Sequence, residues 1–275
     1  MKMISLPLIL SLLLSTPLLL SSTEAVAKIS SISDAINKSG RQRMLTQRIL
    51  SSYYQVGKMI SPTKSKKQLK DAIQQFSAQL QELENYEKSS AITELQKKKN
   101  INLKERLHKV SVIWERVQEI TKKEVMRSRA EDLHQLIGSL LKASHKVVID
   151  IQSLSDHSTS ELINISGRQR MLVLRLSSLY ILKSWGFDDP KYKKEYEKTI
   201  LDYRAALDKL RASPVNTKKI DNALFKLEKY FKMFENSRSM NVSAPSMIRR
   251  TADRMVIMME AVTKFYQVQV EISKL

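Results

Sequence analysis

The residues with the clearest chemical potential are paired arginines that occur twice in the chain, each pair next to a glycine. Residues 36–45 read Ile-Asn-Lys-Ser-Gly-Arg-Gln-Arg-Met-Leu, and residues 163–172 read Ile-Asn-Ile-Ser-Gly-Arg-Gln-Arg-Met-Leu. A guanidinium group is planar and presents a fork of N–H donors, so it matches planar oxyanions such as nitrate, nitrite or a carboxylate. The repeated block therefore predicts a site for a small anion.

Helical spacing places part of this block on one continuous seam of a helix. In the first copy the seam contains Ile36, Gly40, Arg43, Gln47 and Leu50. Glycine inside a helix is less favourable than alanine by about 1 kcal/mol, so its presence indicates the close approach of a second helix or of a ligand. Because the seam recurs in the second copy, we expect the two seams to face each other.

Facing seams would bring Arg43 and Arg170 together in a partly dehydrated space, where like charges repel. A bound anion between the two guanidinium groups would remove that repulsion. We therefore predict a ligand site formed by both arginines and both glycines of the blocks, with supporting polar side chains nearby. The predicted ligand-binding residues are Arg43, Arg170, Gly40 and Gly167, and the predicted supporting residues are Asn37, Asn164 and Gln47.

The repeat continues beyond the block at a constant offset of 127 residues, which indicates an internal duplication. Matched pairs include Arg48 with Arg175, Tyr53 with Tyr180, Ile73 with Ile200, Leu80 with Leu207 and Leu83 with Leu210. Further on, the register slips, and the sequence alone favours matching Leu107 with Leu227 and Trp114 with Phe234. We predict two modules, at residues 28–156 and 157–275, after a leader at residues 1–27.

The composition predicts an all-α protein, because only 5 Gly and 6 Pro occur in 275 residues. We expect two tandem up-down four-helix bundles packed side by side. The predicted helices are 28–60, 64–88, 91–122 and 125–155 in the first module, and 159–186, 190–212, 215–238 and 244–274 in the second. Alternatively, the fourth and fifth helices form one rod, since residues 139–166 contain neither Gly nor Pro.

The first 27 residues are typical of an export signal, with a basic start, an apolar stretch and a cleavage pattern at Ala25-Val26-Ala27. An uncleaved membrane anchor is the alternative. The chain has no cysteine, which excludes disulfides and thiolate metal sites. Its net charge of +19 favours acidic or anionic partners without selecting among them. The sequence thus predicts a periplasmic protein stabilised by packing.

The repeated block, Ile-Asn-x-Ser-Gly-Arg-Gln-Arg-Met-Leu, resembles the signature of the periplasmic sensor domains of PilJ-type pilus chemotaxis transducers and NarX-type nitrate/nitrite sensor kinases. This resemblance implies a four-helix bundle in which the anion lies between two signature helices at a dimer interface. In the nitrate sensors the arginine just before the methionine holds the anion, and by motif it corresponds to Arg43 and Arg170. The motif glycine corresponds to Gly40 and Gly167.

The chain differs from this family in carrying two sensor-like blocks and no segment that resembles a kinase or methyl-accepting region. It therefore resembles a detached double sensor that passes its state to a separate partner, such as a membrane receptor or a chemotaxis or sensor protein. A homodimer remains open, whereas nucleic acid is not expected as a partner. The halves are unequal, since Val173 and Leu174 stand where the first block has Thr46 and Gln47.

Two other interpretations of the arginines remain. The protein could be a basic adaptor or structural protein of the envelope, touching a receptor, pilus component, anionic lipid or DNA. The arginines could also pair with Asp or Glu inside the bundles.

The sequence shows no arrangement typical of an enzyme, and we predict neither catalysis nor a cofactor. Glu131 and His134 have the Glu-x-x-His spacing of half a di-iron site, but no matching half follows in the second module. His134 and His145 are too far apart on a helix to share a metal ion, so both are interpreted as ordinary polar positions.

Overall fold

The chain folds into α-helices throughout the part described by the computed structural model, residues 29–155, 159–237 and 244–272. These residues contain no strand, so the predicted all-α class is confirmed. The helices are α1 Ile32–Gly57, α2 Pro62–Glu87, α3 Ser90–Lys99, α4 Leu103–Thr121, α5 Ala130–Ser153, α6 Thr159–Ser184, α7 Pro190–Arg211, α8 Lys218–Asn236 and α9 Pro245–Ile272, with a 3-10 turn at Arg127–Arg129 before α5.

Local capping chemistry explains several of these boundaries. Ser31 precedes α1, and its side chain accepts a hydrogen bond from the backbone N–H of Asp34. α2 and α7 both begin with proline, whose fixed φ suits the first helical turn. Thr217 caps α8 through the N–H of Ile220. The predicted starts at 28, 64, 190 and 215 lie within four residues of the observed starts at Ile32, Pro62, Pro190 and Lys218.

One expected helix is divided in two. The predicted helix 91–122 is α3 and α4, separated at Asn100, which adopts the left-handed conformation with φ 51°. Asparagine tolerates this conformation better than most residues, and Asn102 then caps α4 by accepting from the N–H of Glu105. The single-helix prediction was wrong here because the Asn-Ile-Asn sequence ends one helix and starts another.

The helices pack as two neighbouring bundles. α1 packs against α2 and α5, α4 packs against α5, and the corresponding contacts join α6 with α7 and α9, and α8 with α9. The most extensive contact of α1 is with α6, which joins the bundles. Because α1 is covered on both sides, its polar residues as well as its apolar ones are buried. α1 and α6 are thus the central layer of the molecule.

The two bundles repeat the same internal packing. The rings of Phe76 and Trp114 lie 4.2 Å apart, and those of Tyr203 and Phe231 lie 4.2 Å apart. Trp114 therefore corresponds in space to Phe231, three residues before the Phe234 match that the sequence suggested. Buried positions agree with this shift, because Leu103, Leu107, Val110 and Val117 correspond to Ile220, Leu224, Leu227 and Phe234.

The fourth and fifth predicted helices are separate elements. α5 ends at Ser153 and α6 begins at Thr159, so one continuous rod is not formed; residues 156–158 lie outside the described part. The predicted leader at 1–27 also lies outside the described residues. Within the described ranges, no helix is both long and apolar enough to cross a membrane.

Candidate anion site between α1 and α6

The two motif glycines allow α1 and α6 to approach closely. A Cβ atom built on Gly40 would lie 4.0 Å from the Cα of Gly167, and one built on Gly167 would lie 4.0 Å from the Cα of Gly40. The same Gly40 point lies 3.5 Å from Nη2 of Arg43 and 3.7 Å from Nη2 of Arg170. The structure thus brings all four predicted ligand-binding residues together.

Arg43 is buried, with 1% of its surface exposed, yet its hydrogen-bond partners are neutral groups. Its Nη2 donates to the side-chain oxygen of Asn164 at 2.7 Å and to the backbone carbonyl of the same residue at 3.2 Å. Its Nη1 lies 3.1 Å from Nδ1 of His145 in α5. Its Nε–H is buried and has no hydrogen-bond partner within the described part of the chain.

Arg170 has the corresponding position in the second bundle but a different partner in the last helix. It is fully buried, and its Nη2 donates to the side-chain oxygen of Asn37 at 2.8 Å. Its Nη1 forms an ion pair with Glu260 in α9. Like Arg43, it has a buried Nε–H for which the described residues offer no acceptor.

The hydrogen bonds between the motif arginines and the motif asparagines are reciprocal across the two bundles. Each arginine donates to the asparagine of the other bundle, and each asparagine in turn donates to a glutamine. Asn37 donates to Gln267 of α9 at 2.8 Å, and Asn164 donates to Gln152 of α5. Asn37 and Asn164, which were predicted to support the site, thus accept from the guanidinium groups across the junction of the bundles.

The block glutamines fix each motif helix to the helix that follows it. Gln42 donates to the backbone carbonyl of Phe76 at 3.0 Å, and Gln169 donates to that of Tyr203 at 2.9 Å. These bonds connect α1 to α2 and α6 to α7 and help to set the rotation of α1 and α6. Sequence analysis assigned no role to these glutamines. Gln47, by contrast, was predicted to support the site, but among the described residues its side-chain amide donates to Thr46 alone, at 3.5 Å.

The charges around the site are unequal. Arg170 is balanced by Glu260, whereas the equivalent partner of Arg43 is His145, and both of these partners lie seven residues before a site glutamine. Burial and the neighbouring charge of Arg43 lower the pKa of His145 to about 4, so this ring is neutral at neutral pH. Burial and the charge of Arg170 also lower the pKa of Arg43, to about 9. The buried cluster therefore contains one uncompensated positive charge.

His145 and Glu260 were missed by sequence analysis as residues of this site. His145 was interpreted as an ordinary polar position, but it contacts Arg43 from a position that is itself exposed to solvent. A register of 115 residues, which relates His145 to Glu260 and Gln152 to Gln267, would have revealed the pair. That signal is weak because few residues of α5 and α9 are identical.

The outer arginines form ion pairs rather than part of the site. Arg41 lies 3.8 Å from Glu260, and Arg48 pairs with Asp253 of α9, so both reach the other bundle. Their equivalents, Arg168 and Arg175, pair with Asp202 and Glu195 of α7.

A second polar cluster joins the bundles near the C-terminal ends of α1 and α6. The hydroxyl of Tyr54 lies 2.9 Å from Nδ1 of His134, and Nε2 of His134 lies 3.2 Å from a carboxylate oxygen of Glu195. Glu131 accepts from Lys191 and, at 3.1 Å, from the hydroxyl of Tyr192. Within the described ranges, no three His, Cys, Asp or Glu residues are grouped to hold a metal ion.

Comparison with known protein families matches residues 25–136 to the model described as PilJ, Type IV pili methyl-accepting chemotaxis transducer N-term. The matched segment contains the first motif block and ends within α5, so the second block lies outside it. No curated protein and no solved structure matches the chain. The PilJ-type resemblance is thus confirmed for residues 25–136, while the NarX-type resemblance and the duplication of the domain stay predictions.

Proposed function

We propose that the protein is an exported, non-enzymatic sensor that binds one small monovalent oxyanion between Arg43 and Arg170 and passes its state to a separate signalling protein. The match of residues 25–136 to a transducer N-terminal domain supports the signalling role and the periplasmic location. The repeated block and the paired bundles support descent of both halves from one such domain.

The observation that carries the proposal is the uncompensated charge of Arg43. Two unit charges 4 Å apart interact by about 4 kcal/mol at an effective dielectric constant of 20, so two buried guanidinium groups with one carboxylate leave a large electrostatic cost. One monovalent anion would neutralise it. The partnerless Nε–H groups of Arg43 and Arg170 provide donors that such an anion would satisfy.

The ligand class follows from the donors. Guanidinium groups favour planar oxyanions, and nitrate and nitrite are smaller than acetate, whose methyl group would need additional room beside the close contact of α1 and α6. A divalent anion would overcompensate the single free charge. We therefore rank nitrate and nitrite first, acetate next and sulfate last.

Thermal unfolding at fixed ionic strength tests this proposal, with nitrate, nitrite, acetate, sulfate and chloride compared. A ligand of the folded state raises the midpoint by mass action, by about 2.7 kcal/mol in unfolding free energy at a concentration of 100 times Kd. We expect nitrate or nitrite to raise it and chloride to leave it unchanged. If no anion has a selective effect, the arginines are part of the bundle architecture and the proposal fails.

His145→Glu is the informative variant because it keeps both arginines. It gives Arg43 the carboxylate that Arg170 already has, so it should abolish the nitrate effect while stabilising the unliganded protein by up to about 1 kcal/mol. His108→Glu is the matched control, since it makes the same change at an exposed position of α4. Retention of the nitrate effect in His145→Glu would show that the free charge of Arg43 does not bind the anion.

A further inference from the structure

A groove of about 500 Å³ lies on the first bundle between α4 and α5. Val112, Ile113 and Ala143 form its apolar floor, and its other lining residues are polar or charged. Val112 is 46% exposed, which is high for an aliphatic residue in a helix that also contributes to the core. We call this feature the α4–α5 groove.

The rim of the α4–α5 groove is basic on both sides. Arg106 and Lys109 border it from α4, and Lys142 and Lys146 border it from α5. Arg106 pairs with Asp150 at 2.9 Å and Lys109 with Glu105 at 2.5 Å. Lys142 and Lys146 are exposed and have no ion-pair partner among the described residues. The groove therefore combines an apolar floor with two unpaired cations on one wall.

The second bundle fills the corresponding position with its own side chains. The registers established above relate Ile113 to Tyr230 and Ser139 to Arg254. Nη1 of Arg254 lies 3.3 Å from the hydroxyl of Tyr230, and the guanidinium lies 5.7 Å from the ring centroid. These side chains bridge α8 and α9, whereas the small Ser139 leaves the space between α4 and α5 open.

We propose that the α4–α5 groove binds an acidic amphipathic helix of a partner protein. A helix laid along the groove would place apolar residues, spaced three and four apart, against Val112 and Ile113. Carboxylates beside them would reach Lys142 and Lys146, and the net charge of +19 would speed encounter with an acidic partner.

Other features support a protein segment over nucleic acid. The described residues that line the groove include no Phe, Tyr or Trp side chain on which a base could stack. Its aliphatic floor would contact sugar and phosphate without compensation. The α5 helix borders both the groove and, through His145, the arginine pair, but the groove proposal stands whether or not an anion binds.

Fluorescence anisotropy with a designed peptide tests the proposal on the whole protein. The probe is a fluorescein-labelled helix of about five turns, with leucines on one face and glutamates on both flanks. A scrambled peptide of the same composition is the control for charge alone. We expect the amphipathic peptide to bind and the scrambled peptide to bind at least about tenfold more weakly, because only the former presents an apolar stripe.

Two variants locate the binding. Ile113→Tyr with Ser139→Arg copies the second bundle and should abolish binding by filling the groove. Lys142→Glu with Lys146→Glu should weaken it about tenfold or more by reversing the wall charges. Lys226→Glu with Lys232→Glu is the matched control, because it makes the same change in net charge at exposed positions of α8.

The control variant in α8 should change the peptide affinity less than about twofold, because charges at exposed positions away from the groove interact only weakly with the peptide. Thermal unfolding of each variant establishes that it is folded. Absence of binding by the wild-type protein, an equal loss with the α8 control, equal binding of the scrambled peptide, or binding that persists in a folded groove-filling variant would each overturn the proposal.

Discussion

At the scale of single residues, the two motif arginines have similar surroundings that differ in one charged partner. Arg43 and Arg170 share a buried environment and reciprocal asparagine partners, but one faces His145 and the other faces Glu260. The neutral histidine leaves the charge of Arg43 without a carboxylate partner, whereas Glu260 balances the charge of Arg170. A symmetric pair of histidines would favour two anions or a dianion, and a symmetric pair of glutamates would favour none.

The protonation of His145 should make stability depend on pH between about 4 and 6.5. Its pKa is lowered to about 4 in the folded protein from 6.5, first by burial and then by Arg43. The unfolded chain therefore binds more protons in this window, and stability is lost as the pH falls through it. His145→Asn keeps an acceptor for Arg43 without the titration, so the midpoint difference between variant and wild type should grow in favour of the variant from pH 7 to pH 4.5.

Nitrate provides the second half of this test. A bound anion would offset the repulsion between Arg43 and a protonated His145, so nitrate affinity should rise as the pH falls from 6.5 in the wild type. In His145→Asn the affinity should stay flat over the same range. Titration calorimetry at pH 6.5 and at pH 4.5 measures the nitrate affinity of both proteins. The same change of affinity with pH in the wild type and in His145→Asn would contradict a link between His145 and the anion.

At the scale of helices, glycine has two separate roles in the contact between α1 and α6. A Cβ on Gly40 would make only ordinary contacts, and one on Gly167 would lie 3.2 Å from Nη2 of Arg170, whereas a Cβ on Gly57 would lie 2.2 Å from the ring of Trp185. Trp185 packs beside Tyr54 and Phe187, with ring centroids 6.2 Å and 5.6 Å apart. The C-terminal end of the contact is therefore set by an aromatic side chain over a glycine.

Gly57→Ala should destabilise the protein by about 2–3 kcal/mol, because the indole must move within a packed cluster. Gly138→Ala is the matched control, since nothing lies within 4 Å of its Cβ position in the middle of α5. It should stabilise the protein by up to about 1 kcal/mol through helix propensity. Chemical denaturation measures both values, and equal behaviour of the two variants would show that Trp185 yields without cost.

The helices that carry regular spacing signals could be predicted from the sequence, and the contact between α1 and α6 followed from glycine and arginine on one seam. The break between α3 and α4 could not, because Asn100 ends a lysine-rich run that is itself favourable for a helix. His145 and Glu260 were missed for a different reason. Their role depends on which faces of α5 and α9 meet the central layer, and packing rather than local sequence decides this.

At the scale of the whole molecule, the two bundles join through a layer that is unusually polar for a protein interior. Arg43 and Arg170 are buried between them, and α1 and α6 also bury the hydroxyl residues Ser52 and Ser177. Such a layer gives little hydrophobic stabilisation, so the geometry of its hydrogen bonds and its charge balance determine how firmly the halves associate. The association should therefore respond to the anion.

Producing the two bundles as separate proteins tests whether their association responds to the anion. Each bundle then exposes the face of α1 or α6 that is covered by the other motif helix in the whole protein. Residues 29–155 should form a homodimer in which Asn37 of one copy accepts from Arg43 of the other. That dimer would contain two arginines, two histidines and no carboxylate equivalent to Glu260. We expect it to form in nitrate and to dissociate in chloride at the same ionic strength, as measured by sedimentation equilibrium, because the repulsion between the arginines is then uncompensated.

Residues 159–275 provide the contrasting case, since a homodimer of that half pairs each Arg170 with its own Glu260. It should associate equally in nitrate and chloride. His145→Glu in the first half should give it the same anion-independent behaviour, and Glu260→His in the second half should make its association require nitrate. If both halves respond alike, the partner of the buried arginine does not control the association, and the charge difference between the bundles has no effect at the scale of the whole molecule.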